Sequence, residues 1–501
     1  MDPIDITSSK FNPFPGLRPF NPEENDFFFG RDSESEEIAG KLLANKFIAV
    51  TGASGIGKSS LLYCGLLPAL TRISPKSNIW RFVMMKPSGD PVGSLARAFH
   101  QLSLELDGKV FDYKELYNIL AQEPDGITEV INAFSFKINE KIVLIMDQFE
   151  DLFRYGSLQR KMIRENEADR FVSLITNAIT GHSLNIYVAI SIRSDLISEC
   201  AGNKNFTQLI NHSHFLVPAM TQDNLRQAIE GPIKRAGASI DTDLVEILLE
   251  DISGKTDQLL LLQHSLMKTW AKWKEPADPD RAIGYYDYNA VGTVKDSISR
   301  HADEIYNQFD DRGKTICERL FKLITGKSSE NKSIRVPSKV RNIKSVLMCT
   351  DEELNDVIEK YRDPFVSILT PYHPLPLDDD SVIDLTHESL IRHWDRLAKW
   401  VNEEADSVKI YQRLSDMSAM YQQGKTGLLK QPELQLAINW RDMNKPTPGW
   451  AQRYDPAFER AMVYLRTSEK DYNESEERKE RQQRRKLRRI RIISSIFGGI
   501  A

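Results

Sequence analysis

The chain comprises 501 residues, 41% apolar and 27% charged, with a formal net charge of −5. So long a chain exceeds one ordinary hydrophobic core and predicts roughly two to four domains. The composition is that of a soluble globular protein and argues against wholesale nucleic-acid binding, and Cys64, Cys200, Cys317 and Cys349 are too scattered for a zinc site or a disulfide framework.

The N-terminus, Met1-Asp2-Pro3-Ile4-Asp5, lacks the basic stretch and apolar run of a signal peptide, so the chain is expected to begin in the cytoplasm. Residues 1–26 read as an extended segment. Within it, Phe11-Asn12-Pro13-Phe14-Pro15-Gly16-Leu17-Arg18-Pro19-Phe20 has prolines that forbid helix or central strand and aromatics that favour burial, predicting a strap across the surface of the following domain. Phe27-Phe28-Phe29-Gly30-Arg31 then leads into Ser33-Glu34-Ser35-Glu36, which reads as a capping box opening a helix that turns Ile38, Leu42 and Leu43 inward.

The apolar run Phe47-Ile48-Ala49-Val50 is followed by Gly52-Ala53-Ser54-Gly55-Ile56-Gly57-Lys58-Ser59, with Ser60 continuing into a helical pattern. Strand, glycine loop and helix start together make G-x-x-x-x-G-K-S a P-loop. Its glycines let successive amides from Gly52 through Ser54, Gly55 and Gly57 to Ser60 surround a phosphate at a helix N-terminus. Lys58 would reach the β- and γ-phosphates, and the Ser59 hydroxyl would ligate Mg²⁺. In P-loop ATPases the segment before the first core helix often lines the base pocket; the alternative makes Phe27, Phe28 and Phe29 plain core.

Trp80–Met85 reads as a second strand, and Leu95, Phe99 and Leu102 mark its following helix. Alternating strands and helices imply a parallel, doubly wound sheet. The run Lys141-Ile142-Val143-Leu144-Ile145-Met146-Asp147 matches a Walker-B strand about ninety residues beyond the P-loop, with Asp147 as a second Mg²⁺ ligand. The next residue, where many hydrolysing P-loop ATPases carry a glutamate, is Gln148, which cannot act as a base. Glu150 or Asp151 would have to substitute, or else they simply complement a helix N-terminus, and hydrolysis is expected to be slow. A fourth strand over 185–191 leaves Arg193 at its end, placed to sense a γ-phosphate or to pair with Asp195. His214-Phe215-Leu216-Val217 completes a five-strand core spanning residues 27–220.

Residues 221–300 read as a helical domain. Residues 301–403 combine helical patterns with strand candidates Phe365-Val366-Ser367-Ile368-Leu369 and Val382-Ile383-Asp384-Leu385, a winged-helix pattern running into Thr386-His387-Glu388-Ser389-Leu390. Residues 404–472 are helical, with Trp440, Trp450 and Tyr464 as packing anchors, and 473–491 form a charged, then basic stalk. In 492–501 a basic cluster meets apolar and small residues, as at the start of a transmembrane helix, but only about ten such residues remain where a span needs about twenty. The alternative is a basic tail for a membrane surface or a partner.

Together these stretches resemble the STAND class of P-loop ATPases, specifically the bacterial novel STAND subfamily often fused to WD-type propellers. The resemblance covers about residues 11–470 and rests on Asn12 to Phe20, Phe28-Phe29-Gly30-Arg31, the P-loop running into Gly65-Leu66-Leu67-Pro68-Ala69-Leu70, Asp147-Gln148-Phe149-Glu150 and His387-Glu388-Ser389-Leu390. It implies an α/β P-loop NTPase core of the ASCE type followed by helical and winged-helix domains. It further implies an ATP/ADP switch with Mg²⁺, closed with ADP and opened by ATP to form homo-oligomers. The family's Gly-Arg motif falls on Gly30 and Arg31 beside the adenine, its sensor arginine on Arg193, and the winged-helix histidine that touches the β-phosphate on His387. By its position alone, a histidine at a strand-helix junction reads as a structural group. Thr256-Asp257-Gln258-Leu259 lacks the Gly-x-Pro of relatives, leaving that proline's nucleotide contact without a counterpart. Relatives also carry an effector or sensor domain, expected here beyond residue 501, with the C-terminal end tethered at the inner membrane face. Two rival expectations are a continuously hydrolysing AAA+-like ATPase, against which Gln148 weighs, and a winged-helix nucleic-acid regulator, against which the acidic charge and the lack of aromatics in the basic run weigh.

Overall fold

Five runs of apolar residues build one sheet: β1 (Phe47–Gly52), β2 (Ile79–Met85), β3 (Glu140–Met146), β4 (Ile186–Arg193) and β5 (His214–Leu216), in the order β2-β3-β4-β1-β5. All neighbours run parallel, with Phe47 opposite Val188, Gly52 opposite Arg193 and Met146 opposite Ile190. The computed structural model describes residues 11–498 apart from 77, 88, 107–109, 123, 135, 137–138, 154–157, 182–184, 276–280 and 329–330.

Both faces of the sheet are covered, which is why β1 is buried at every position and β3 from Ile142 to Met146. Alternation sends Phe47, Leu144, Val188 and Ile190 to one face, against Leu95 and Phe99 of helix Pro91–Glu105 and Phe171 and Ile175 of helix Leu158–Thr180. Ile48, Val50, Val143 and Ile145 go to the other, against Ile38 and Leu42 of helix Asp32–Asn45 and Leu62, Leu66 and Leu70 after the P-loop. Because β1 lies between β4 and β5, the order reverses beside it, and the loop after β1 opens at the carboxyl edge where such sheets bind ligands.

Local details depart from expectation. The helix expected to open at Ser33 begins at Asp32, with Arg31 in the cap position: the Arg31 carbonyl accepts from both the amide and the hydroxyl of Ser35, at 2.9 and 2.7 Å. The proline-rich strap is more than a surface dressing. Phe14, Leu17 and Phe20 are buried, the Asn12 side chain donates to Met267 O at 2.9 Å, Trp270 Nε1 donates to Phe11 O at 3.1 Å, and the Phe20 amide donates to Ser60 Oγ at 3.2 Å.

From Thr221, which caps helix Gln222–Arg235, the chain is helical through Thr242–Ile252, Gln258–Lys274, Tyr285–Ala290 and Thr293–Tyr306. Two compact units divide the chain. One gathers the residues up to Ile305 together with Lys360–Pro374 and Thr386–Trp394; the other holds Tyr306–Glu359, Leu375–Leu385 and everything from Asp395 onward. The stretch 301–403 is therefore shared between them.

In the second unit Thr325–Lys327 pairs antiparallel with Ser333–Arg335, and Ser338–Lys339 with Val382–Leu385, and a buried Arg335–Asp384 ion pair at 2.5 Å links the two strand pairs. In the first unit the strand expected over Phe365–Leu369 is mostly a turn. Asp363 Oδ1 accepts from the Phe365 amide at 2.9 Å, Ser367 has φ of 49°, and only Leu369–Thr370 is extended. A Pro preceded by Asp starts a turn more readily than a strand.

Helices Asp395–Gln422, Glu433–Asn444, Pro448–Ala451 and Phe458–Gly498 complete the second unit around Tyr411, Trp440, Tyr464 and Leu465, with Trp450 against them. From Glu477 to Arg489 the last helix is exposed, and it is laced by i,i+4 pairs such as Glu474–Arg478 and Glu477–Arg481. Among the described residues no helix is long and apolar enough to cross a membrane; of the segment 492–501, residues 499–501 lie outside the described ones.

Candidate functional site

The loop leaving β1 turns on Gly55 and Gly57, whose φ values of 76° and 92° strain any side chain, and helical turns begin at Lys58. Such a turn aims successive amides into an anion-binding concavity at a helix start. Lys58 Nζ donates to the carbonyls of Gly52 and Ala53 at 3.0 and 2.9 Å, folding the ammonium over the loop. Burial lowers its pKa, while the carboxylates of Glu150 and Asp147 act in the opposite sense.

β3 delivers Asp147, 1% exposed, to the same place. The Ser59 hydroxyl lies 2.8 and 2.9 Å from its two carboxylate oxygens, Ser191 Oγ donates to Oδ1 at 2.6 Å, and Tyr63 OH donates to Oδ2 at 3.2 Å. Ser59 and Asp147, which the sequence places far apart, therefore meet as an all-oxygen donor pair, the chemistry that suits Mg²⁺. When bound there, Mg²⁺ would neutralise phosphate charge. Among the described residues no cluster of three or more His, Cys, Asp or Glu offers another metal centre.

Ser191 is a residue the sequence reading passed over. It also accepts the Gln148 amide at 2.9 Å, a bond that holds Gln148 at φ of 56°. Its signal was legible, since a lone hydroxyl in an otherwise apolar buried strand needs a polar partner. Ser191→Ala is expected to weaken Mg²⁺-dependent nucleotide binding about tenfold, as loss of an outer-shell partner does, with binding in EDTA unchanged. Titrations with and without Mg²⁺ make the comparison.

Glu150 and Asp151 are both buried on the turn Phe149–Phe153. Burial and then repulsion from Asp151 raise the Glu150 carboxyl, and the Arg193 amide donates to its Oε2 at 3.3 Å. The Arg193 guanidinium, the last residue of β4, binds on two sides: Nη1 to Glu388 Oε2 at 2.6 Å, and Nε and Nη2 to Asp195 at 3.1 and 2.8 Å. Burial opposes its charge, but Asp195 and Glu388 outweigh that and raise its pKa. His387 is half-buried beside Glu388, and its carbonyl accepts from the Leu390 amide at 3.2 Å.

Asp257, standing where the relatives' Gly-x-Pro would fall, packs on the P-loop. A Cβ on Gly55 would lie 3.4 Å from its Oδ1. Its carboxylate is held by Arg392 at 2.7 Å and His393 at 3.4 Å; burial would raise its pKa, but these two partners bring it below the usual carboxylate value. Segment Thr386–Trp394 thus grips both Arg193 and the P-loop's neighbour.

Gly30, at φ 83°, must be glycine, because a Cβ would come within 2.4 Å of Asn224 O. Arg31 is buried and donates to Glu34 at 2.6 Å, Pro218 O at 3.0 Å and Ile56 O at 3.4 Å, tying the first helix to the P-loop. The candidate residues of the nucleotide core, Gly30, Arg31, Gly52 to Ser60, Asp147, Glu150, Asp151, Arg193 and His387, all belong to the first compact unit.

The family profile described as Novel STAND NTPase 1 matches residues 13–427. No curated protein matches the chain significantly. Among similar solved structures, the ORC2 protein of Aeropyrum pernix in its ADPNP-ADP complexes is 10% identical, with 75% of this chain and 94% of that one covered and a TM-score of 0.40. The ORC1 protein of the same organism, in complex with DNA, is 12% identical, with coverages of 75% and 93% and a TM-score of 0.39. A Walker-type ATPase of Pyrococcus abyssi is 13% identical, with coverages of 77% and 99% and a TM-score of 0.34.

Proposed function

The chain belongs to the novel STAND NTPase 1 family, whose P-loop implies nucleotide binding, and on that premise we propose that it is an ATP/ADP switch in which nucleotide exchange releases segment Thr386–Trp394 and permits self-association. The observation that carries this reading is the Arg193–Glu388 ion pair at 2.6 Å. A third phosphate on the P-loop competes with Glu388 for that guanidinium, whereas ADP leaves the pair intact. A ligand shifts a conformational equilibrium only by its differential affinity for the two states, and this competition supplies one. Asp257 adds a second contribution, since negative charge arriving at Gly55 bears on the Asp257–Arg392 pair.

In this reading His387 helps retain ADP, ATP with Mg²⁺ at Ser59 and Asp147 favours the open, homo-oligomeric form, and the exposed basic run over 484–489 supplies charge for an anionic membrane face. Turnover is slow, because Gln148 has no basic group. A cycling ATPase is the second reading, favoured by Glu150, whose raised carboxyl is nearer the range of a general base.

The test is to purify the protein without added nucleotide, denature it and identify what is released. One ADP per chain supports the switch; an empty site with rapid ATP turnover supports the cycling enzyme. Glu388→Ala is expected to speed release of a fluorescent ADP analogue about tenfold or more, the loss of one charge-assisted pair, and His387→Ala to act in the same direction with more oligomer by light scattering. Unchanged release in both variants would sink the latch.

A further inference from the structure

The second compact unit encloses a cavity of about 230 Å³ bordered by helices Asp311–Leu323 and Asp395–Gln422 and by the turn that follows Glu433–Asn444. That is below the roughly 300–1,000 Å³ of sites for drug-sized ligands, so the cavity suits a small molecule. Leu323, Leu347 and Trp450 give it an apolar wall. Its charges define the ligand more closely. Lys322 is neutralised by Glu318 at 2.6 Å and Glu403 at 3.0 Å. Glu404 differs: it is 8% exposed and forms no ion pair, and its two donors, Trp450 Nε1 at 2.7 Å and Tyr454 OH at 2.9 Å, both go to Oε1. Oε2 has no donor among the described residues. A glutamate is rarely buried so deeply without a cationic partner. Cations line the same cavity without acidic partners: among the described residues the Arg319 and Lys445 side chains make no hydrogen bond or ion pair, and Arg453 donates only to Leu323 O at 2.5 Å.

An unmatched carboxylate and unmatched cations therefore share one small, partly apolar space. A simple anion would leave Glu404 unmatched, and a simple amine would meet the cations. A zwitterion satisfies both. We propose that this cavity binds a free α-amino acid with an aliphatic side chain, its ammonium on Glu404, its carboxylate toward Arg319, Lys445 and Arg453, and its side chain against Leu323 and Leu347. The ammonium brings donors for the open Oε2, and the carboxylate accepts from guanidinium and ammonium groups through charge-assisted hydrogen bonds. None of these residues belongs to the nucleotide site, so the assignment does not depend on how that site is read.

The experiment is equilibrium dialysis of the full chain against L-leucine, isocaproate, which is leucine without its ammonium, and isoamylamine, which is leucine without its carboxylate. Wild type is expected to bind leucine about tenfold or more tightly than either analogue, because a site built around polar partners rejects ligands that lack them. Glu404→Gln keeps an acceptor for Trp450 and Tyr454 but carries no charge. It is expected to weaken leucine about tenfold or more while leaving isocaproate unweakened. Replacing both exposed cations, Arg319→Ala with Lys445→Ala, is expected to weaken leucine while leaving isoamylamine unweakened. Isocaproate or isoamylamine bound as tightly as leucine, leucine affinity unchanged in Glu404→Gln, or no retention of leucine by wild type at about 1 mM would each overturn the assignment. Should a variant fail to fold, the comparison of the three ligands on wild type still decides.

Discussion

Lys58→Ala is expected to abolish nucleotide binding, weakening ADP and ATP alike by more than about 100-fold, the scale set by losing a desolvated charge that contacts phosphate. The structure gives two reasons to separate this from a folding defect. The ammonium's protein partners are two backbone carbonyls, Gly52 O and Ala53 O, and they lie on a loop whose shape is set by Gly55 and Gly57. Burial also lowers the lysine's pKa, so removing the charge relieves a desolvation cost. The unfolding midpoint in urea should stay within about 1 kcal/mol of wild type, as for a substitution outside the core. Undiminished affinity for ADP in a folded Lys58→Ala protein would remove the P-loop from its assigned role.

A second large effect is expected from acid. His264 on helix Gln258–Lys274 and His301 on helix Thr293–Tyr306 are buried against each other, with His264 Nε2 and His301 Nδ1 3.1 Å apart and His264 Nδ1 3.1 Å from Ser297 Oγ. Burial lowers both rings, His264 to about 3 from an ordinary 6.5 and His301 well below that value; the positive charge of Lys268 adds to both, and His264 to His301. The sign follows from which state takes up protons. Above about pH 6.5 the rings are neutral folded or unfolded. Below it only the unfolded chain binds protons, so stability falls with pH until the folded rings titrate. Between pH 7.5 and 5.0 the His264 ring alone should cost about 2 kcal/mol, and His301 acts in the same direction. Urea midpoints across that range test this, and His301→Gln, which keeps a polar partner but cannot titrate, should weaken the dependence. A flat profile in wild type would mean that the folded pair accepts a proton.

The parts of this molecule legible in its sequence are those where a local pattern has only one structural solution. Phe47 to Lys58 reads directly as strand, loop and helix because the glycines and the lysine are contiguous. Ile142 to Asp147 reads as a doubly covered strand because no polar residue interrupts it. Arg193 was legible as the end of a strand, and its pairing with Asp195 as a local contact. Its second partner was not. Glu388 lies 195 residues away and Arg392 lies 135 residues from Asp257, and no spacing within one element encodes such a meeting. The strand expected over Phe365–Leu369 failed because its apolar residues outvoted a turn set by Asp363 and Pro364. The strap's burial was underestimated, since its anchors are a hydroxyl at Ser60 and a carbonyl at Met267, neither of which carries a sequence signal.

One pairing in the sheet bears on how any message could travel. Gly52 and Arg193 are opposite one another in adjacent central strands, so the separation between the phosphate loop and the arginine is set by backbone hydrogen bonds inside a fully packed core. That distance is a ruler that nucleotide cannot stretch. In the switch proposed above, what can differ between one nucleotide and the next is therefore what stands at the ruler's far end, with the sheet as a fixed anvil for segment Thr386–Trp394.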